Sequence, residues 1–324
     1  MNRIRVVFMG SADLSATMLE RLSRERDRFQ VVGCVTQPDK PGGRGKKLIP
    51  CACKAFVDAV GIPCLTPAKV NTPESLAQIA AWLPDVIVVV AYGQFLSKRL
   101  LEIPTLGCVN IHLSLLPRHR GASPIHAALL AGDKVTGASA MLMDEGMDSG
   151  PVLLTEETPI TPEDTCETLH DRLANLGAEL LVKVLPLWAF FKVKATPQDP
   201  ARVSTAYKIK KTDGLLHWSD PTDFNLRKLR AYTPWPSCFT YMPEGHKEQG
   251  RMLKILAAEP IDLPEGGAEA LPGTVLAVGK EGVVVRTADG ALRLTRVQAE
   301  GGKPMDVPAW LCGHPLAPGM RFVT

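Results

Sequence analysis

Asn110 and His112 stand two residues apart, Ser114-Leu115-Leu116-Pro117 follows, and a carboxylate, Asp148, comes further on before Ser149-Gly150. An amide, an imidazole and a carboxylate form an acid–base set. The amide donates to a developing oxyanion, the imidazole takes or gives a proton near neutrality, and the carboxylate orients the ring. Each has a plainer reading when taken singly. Asn-x-His after a strand also serves as a strand-end hydrogen-bonding pair, and Asp before Ser-Gly suits a turn.

The elements that must position these residues are strands. The apolar run Asp85–Ala91 reads as a fully buried parallel strand, Cys108–His112 as a second, and Ala138–Met143 as a third that leads into a polar loop ending at Gly150. In open α/β sheets ligands sit beyond the carboxyl ends of the strands. The three side chains are therefore expected on neighbouring loops at the top of one sheet. Ile4–Met9 and Gln30–Thr36 supply further strands. Helices are expected over Asp13–Leu22, Cys51–Val60, Thr72–Trp82, Pro124–Ala131 and Cys166–Phe191. The last places Leu169, Leu173, Leu176, Leu180, Val184 and Leu187 at helical spacing. This alternation predicts an α/β fold with an N-terminal, doubly wound, Rossmann-like parallel sheet. The first turn, Gly10-Ser11-Ala12-Asp13, lacks the Gly-x-Gly-x-x-Gly pattern, so a dinucleotide cofactor is poorly supported.

Beyond Trp218 the pattern changes. Phe239–Met242, Leu253–Ala257, Thr274–Val278, Val283–Thr287 and Leu292–Val297 read as short strands between Gly- and Pro-rich turns, which suggests a small C-terminal barrel. Three segments are expected: a first domain over 1–191, a basic linker over 192–211, and the barrel over 212–324.

The chain has 324 residues, 45% hydrophobic and 22% charged, the composition of an ordinary globular protein with room for two cores. Its eight cysteines are scattered, and Cys51-x-Cys53 lacks zinc-knuckle spacing, so free thiols and no metal are expected. The N-terminus shows no signal or transit pattern and no segment is apolar enough to span a bilayer, so a cytoplasmic protein with no membrane partner is expected. A monomer is expected.

The net charge of +3 decides nothing, but its distribution is informative. From 38 to 54, Lys40, Arg44, Lys46, Lys47 and Lys54 face only Asp39, and Gly42, Gly43 and Gly45 loosen the loop. From 192 to 211, Lys192, Lys194, Arg202, Lys208, Lys210 and Lys211 face only Asp199. Such elements suit a phosphate backbone, although a solvated loop reads the same way.

The run Asn110-x-His112-x-Ser114-Leu115-Leu116-Pro117-x-x-Arg120-Gly121, with Asp148 downstream, resembles the folate-dependent formyltransferase family. The likeness covers nearly the whole chain. Gly42-Gly43-Arg44-Gly45-Lys46-Lys47-Leu48, Ala91-Tyr92-Gly93, Lys208-x-x-Lys211-x-Asp213-Gly214 and Pro234-Trp235-Pro236 bring it nearest to the branch acting on initiator methionyl-tRNA. The resemblance implies an OB-like C-terminal barrel and 10-formyltetrahydrofolate as formyl donor. It implies a catalytic trio of Asn110, His112 and Asp148. Folate contacts are implied at Ser114, Leu115, Leu116, Pro117, Ala91, Tyr92 and Gly93, and tRNA contacts at Arg44, Lys46, Lys47, Lys208 and Lys211. Arg120 either positions the folate tail or braces the loop. One departure stands in the first turn, where Ala12 and Leu14 occupy the places of the family's Pro and Phe.

The signature alone does not choose the acceptor. An amino sugar nucleotide or glycinamide ribotide acceptor, hydrolysis or oxidation of the same folate, and a non-catalytic RNA-binding protein are the competing readings. The basic glycine-rich loop, the appended barrel and the intact trio weigh against them. Arg44→Ala should therefore lower the efficiency with acceptor tRNA, more steeply as salt rises, and leave folate binding intact. A rate with tRNA that is unchanged across ionic strength would count against that role.

Overall fold

The computed structural model describes residues 3–42 and 47–322. Cα packing divides the chain into two units. The first comprises Met1–Pro124, Lys134–Pro159 and Leu169–Ala206; the second comprises Ile125–Asp133, Ile160–Thr168 and Tyr207–Thr324.

The first unit opens with β1 (Ile4–Gly10), α1 (Asp13–Arg24), β2 (Phe29–Val35), β3 (Lys40–Gly42) and β4 (Lys47–Ile49). It continues through α2 (Ala52–Val60), β5 (Cys64–Leu65), α3 (Pro73–Ala81), β6 (Val86–Val90), α4 (Lys98–Leu101) and β7 (Cys108–His112). After β8 (Arg120–Gly121) and α5 (Pro124–Ala131) come β9 (Val135–Leu142), β10 (Val152–Pro159), α6 (Cys166–Ala189) and β11 (Thr205–Ala206). Seven strands form one sheet in the order β10-β9-β7-β6-β1-β2-β5. β5, β2, β1, β6 and β7 run parallel, as the continuous apolar runs require when both faces are covered. All five residues of β6 are buried, and Val7, Met9, Val35, Ile87 and Val89 pack on one face with Leu76, Ile79 and Tyr92. The start signal at α3 is as read: Thr72 caps the helix by accepting from Ser75 N at 3.3 Å, with Pro73 first in the helix.

Three features differ from the sequence reading. β9 runs antiparallel to both β7 and β10, so the sheet is mixed. Leu142 pairs with Val109, so the loop after β9 leaves the sheet beside Val109 rather than beyond His112. In α6 the fully buried stripe is Leu169, Leu173, Leu180, Leu181 and Val184, while Leu176 and Leu187 are only half-buried. The helix ends at Ala189, and Phe191, at φ +54°, lies beyond it. The stretch from 192 to 206 is fastened to the first unit. Thr196 and Val152 exchange backbone hydrogen bonds, and β11 pairs in parallel with β8.

The second unit holds α7 (Thr222–Ala231), β12 (Cys238–Tyr241), β13 (Met252–Ile261), β14 (Val275–Gly279), β15 (Gly282–Arg286), β16 (Ala291–Ala299), β17 (Met305–Asp306) and α8 (Val307–Leu311). Its antiparallel sheet has the order β12-β13-β16-β15-β14, with β17 also on β16. Leu253, Ile255, Val283, Val285, Leu292 and Leu294 fill its core beside Trp218, whose indole N–H donates to Thr240 Oγ1 at 3.1 Å. α5 and the 160–168 segment pack here, the latter through Arg230, which donates to Thr161 O at 3.1 Å. None of the described helices is long and apolar enough to cross a membrane.

Candidate active site

β6 and β7 bring the first two predicted side chains to their places. Asn110 lies opposite Val89 in the parallel register, and its amide donates to Val89 O at 3.1 Å. Its other end, Oδ1, is buried and has no hydrogen-bond partner. A buried acceptor left unpaired costs on the order of 1–3 kcal/mol.

His112 ends β7 and is buried. Its Nε2 lies 2.9 Å from the backbone carbonyl of His119. A carbonyl can only accept, so Nε2 carries the hydrogen and the neutral ring keeps Nδ1 as its base. Nδ1 faces Asp148 Oδ2 at 3.7 Å. A proton arriving on Nδ1 therefore meets a carboxylate beside it. Asp148 Oδ2 also accepts from Gly121 N at 2.8 Å, which holds the carboxylate against β8. At Gly121 φ is +121° and an added Cβ would lie 2.5 Å from Ala206 O, so only glycine fits there.

The loops are stitched from several directions. Ser114 Oγ donates to Arg118 O at 2.6 Å, Ser139 Oγ donates to Ser114 O at 2.7 Å, and Leu116 N donates to the same Ser139 hydroxyl at 3.1 Å. His119 N donates to Ser204 Oγ at 2.9 Å, and Arg120 N to Ser204 O at 2.9 Å. The Arg120 guanidinium donates through Nε and Nη2 to Gln198 Oε1 at 3.0 and 2.8 Å. Gln198 Nε2 in turn donates to the carbonyls of Asp148 and Gly150 at 2.8 and 2.7 Å. Arg120 thus braces the carboxylate loop through Gln198. Ala91, His119 and Asp148 hold left-handed backbones at φ 43°, 59° and 49°, and such outliers concentrate where structure serves function.

The structure brings His112 and Asp148 together, and Asn110 lies two residues before His112 on β7, on the same face of the strand. Ser114, Leu116 and Pro117 are buried within their turn, and Leu115 is half-buried. Ala91 and Gly93 are exposed, while the Tyr92 ring lies in the core, where burial pushes its phenol up. Tyr92 instead offers its backbone, accepting from Gln37 Nε2 at 3.0 Å. Ala12 and Leu14, in the departing first turn, are half-buried. Lys208 and Lys211 are exposed on the second unit. Lys47 opens β4, while Arg44 and Lys46 lie outside the described residues. Among the described residues no group of three or more His, Cys, Asp or Glu side chains is placed to hold a metal. Gln198 and Ser204 escaped the sequence reading because they stand in an unpatterned stretch, where nothing marks a lone amide or hydroxyl.

The "Formyl transferase" family profile matches residues 2–185, and its "Formyl transferase, C-terminal domain" counterpart matches 208–315. The chain belongs to the formyl transferase family. Its formyl transferase relatives include proteins named methionyl-tRNA formyltransferase. The one from Nitrosococcus oceani is 43% identical over 98% of this chain and 95% of its own length. That from Myxococcus xanthus is 43% identical over 99% and 98%, and that from Geobacter sulfurreducens 39% over 98% and 96%. Among solved structures, HypX from Aquifex aeolicus in complex with tetrahydrofolic acid superposes with a TM-score of 0.60 at 17% identity, over 96% of this chain and 47% of that one. A sugar N-formyltransferase from a Shewanella species gives 0.59 at 18%, over 78% and 97%. These two structures share the formyl transferase fold.

The hydrogen bonds through Gln198 carry a prediction. Gln198→Ala frees the carbonyls of Asp148 and Gly150, and misplacement by about 1 Å costs up to about 100-fold in rate. Formyl transfer should lose roughly 10- to 100-fold in kcat with little change in donor KM. An unchanged kcat in a folded variant would contradict the clamp.

Proposed function

We infer that this protein transfers the formyl group of 10-formyltetrahydrofolate to the α-amine of methionine on initiator methionyl-tRNA, giving formylmethionyl-tRNA for translation initiation. The observation that carries this reading is the joint one of 43% identity over nearly the full length to a methionyl-tRNA formyltransferase and a His112–Asp148 contact at 3.7 Å at the end of the strand that also carries the unpartnered Asn110 carbonyl.

The amine nitrogen attacks the formyl carbon, an oxyanion forms, the nitrogen sheds a proton, and the folate nitrogen leaves with one. Asn110 Oδ1 accepts an N–H of the incoming amine, which supplies the donor it lacks. The second hydrogen of the same amide turns to the oxyanion, a contact worth about 100- to 1000-fold in rate. His112 Nδ1 moves the proton, with Asp148 facing the imidazolium that forms. The turn Ser114-Leu115-Leu116-Pro117 and the backbone of Ala91, Tyr92 and Gly93 hold the donor, for which a pterin needs apolar walls and backbone polar groups.

We assign the chemistry to residues 1–191 together with the basic stretch 192–206, which supplies Gln198 and Ser204, and 207–211 leads on to the second unit. Residues 212–324 form an OB-like barrel, a reading supported by the register shifts in β13 and β14 that curl the sheet. Arg44, Lys46, Lys47, Lys208 and Lys211 contact the tRNA phosphates. The protein acts as a cytoplasmic monomer, the compartment following from its bacterial translation relatives.

Labelled 10-formyltetrahydrofolate offered to charged initiator tRNA, charged elongator tRNA and free methionine tests the reading. Label should pass to the initiator tRNA alone. In the same assay His112→Ala should lose about 100- to 10,000-fold in turnover while remaining folded. Near-normal initial rates in that variant would remove His112 from the chemistry.

A further inference from the structure

Four of the eight cysteines, Cys34, Cys51, Cys53 and Cys64, lie on β2, β5 and the start of α2, apart from the residues of the formyl-transfer site. All are free thiols. In the β2–β5 register Cys34 stands directly opposite Cys64, with Val35 opposite Leu65. Paired residues of adjacent strands have Cα atoms about 5 Å apart, inside the roughly 4.4–6.8 Å window that a disulfide spans. The Cys64 thiol donates to Leu65 O at 3.8 Å, on its own strand. β5 is a two-residue strand at the end of the sheet, so Cys64 has neighbours on one side only. The two sulfurs differ in access. Cys34 is fully buried, whereas Cys64 is half-exposed.

We propose that Cys64 and Cys34 form a peroxide-sensitive dithiol, in which the accessible Cys64 is oxidised first and the buried Cys34 resolves it to an intramolecular disulfide. The Cys64 thiolate sulfur attacks one oxygen of hydrogen peroxide. The S–O bond forms, the O–O bond breaks, and the second oxygen leaves as water after taking a proton. The Cys34 thiol then gives up its proton and its sulfur attacks the sulfenic sulfur. The S–S bond forms, the S–O bond breaks, and a second water leaves. Two thiols lose two hydrogens and one peroxide becomes two waters.

The surroundings favour this order. The Cys64 thiol is held below its ordinary range, first by the neighbouring Cys34 thiol, against burial, and then by Thr36 and the Lys54 ammonium. The Cys34 thiol is pushed up by its neighbour Cys64 and by burial. Nucleophilic thiols are those that keep thiolate character and access, which here describes Cys64. Cys53 is buried and pushed up to about 12, which makes it a poor competitor. The bridge between edge-strand neighbours is of the labile kind that thiol reductants reopen.

The full chain treated with stoichiometric hydrogen peroxide, quenched, digested without reduction and analysed by mass spectrometry tests the proposal. Expected is a Cys34–Cys64 cross-linked peptide lost on dithiothreitol treatment, with Cys64 reacting on the order of ten times faster than the exposed Cys312. Cys34→Ala should leave a sulfenic acid at Cys64 that dimedone captures, and Cys64→Ser should leave Cys34 reduced. Cys34 and Cys64 both reduced while Cys312 is oxidised would overturn the proposal. So would cross-links that join Cys64 to Cys51 or Cys53 instead.

Discussion

A backbone carbonyl has no proton to give, so the 2.9 Å contact between His119 O and His112 Nε2 obliges the ring to place its hydrogen on that nitrogen. The other nitrogen is then the base, and it is the one that faces Asp148 at 3.7 Å. Everything else about the site serves to keep this geometry. His119 adopts a left-handed backbone at φ 59°, Ser204 accepts from its N–H, and Ser114 accepts no part of that load but ties the turn at Arg118. Moving the His119 carbonyl frees the ring to invert its tautomer, and Asp148 would then face an N–H instead of a base.

The second constraint is the antiparallel β9. Because Leu142 pairs with Val109, the loop to Asp148 starts low on β7 and must be brought back to His112. Gly121 N holds the carboxylate and Gln198 holds the carbonyls on either side of Ser149. The segment 192–206, which supplies Gln198 and Ser204, therefore belongs to the first unit and is not merely a connection. Asn110 Oδ1 is a buried polar atom of the trio that has no protein partner among the described residues.

Much of this was legible in the sequence because it rests on local signals. Val86–Val90 has no choice but burial on both faces, the Thr72-Pro73 start announces its helix, and Asn110-x-His112 puts two polar side chains on one face of a strand end. What was not legible depends on partners distant in sequence. The reversal of β9 is set by its pairing with β7, which no alternation in Val135–Leu142 reveals. The seating of 160–168 in the second unit hangs on Arg230, some 69 positions from Thr161. Arg120 could be read as a ligand contact or a brace from its sequence position, and its fork onto Gln198, a partner 78 positions away, is visible only in the fold.

The most direct measurement is the nitrogen NMR of the His112 ring in the folded protein, at a pH where the imidazole is neutral. The account predicts a protonated Nε2 and a bare Nδ1. A hydrogen on Nδ1 in the neutral ring would contradict it, because the nitrogen beside Asp148 would then have no lone pair to accept the amine's proton.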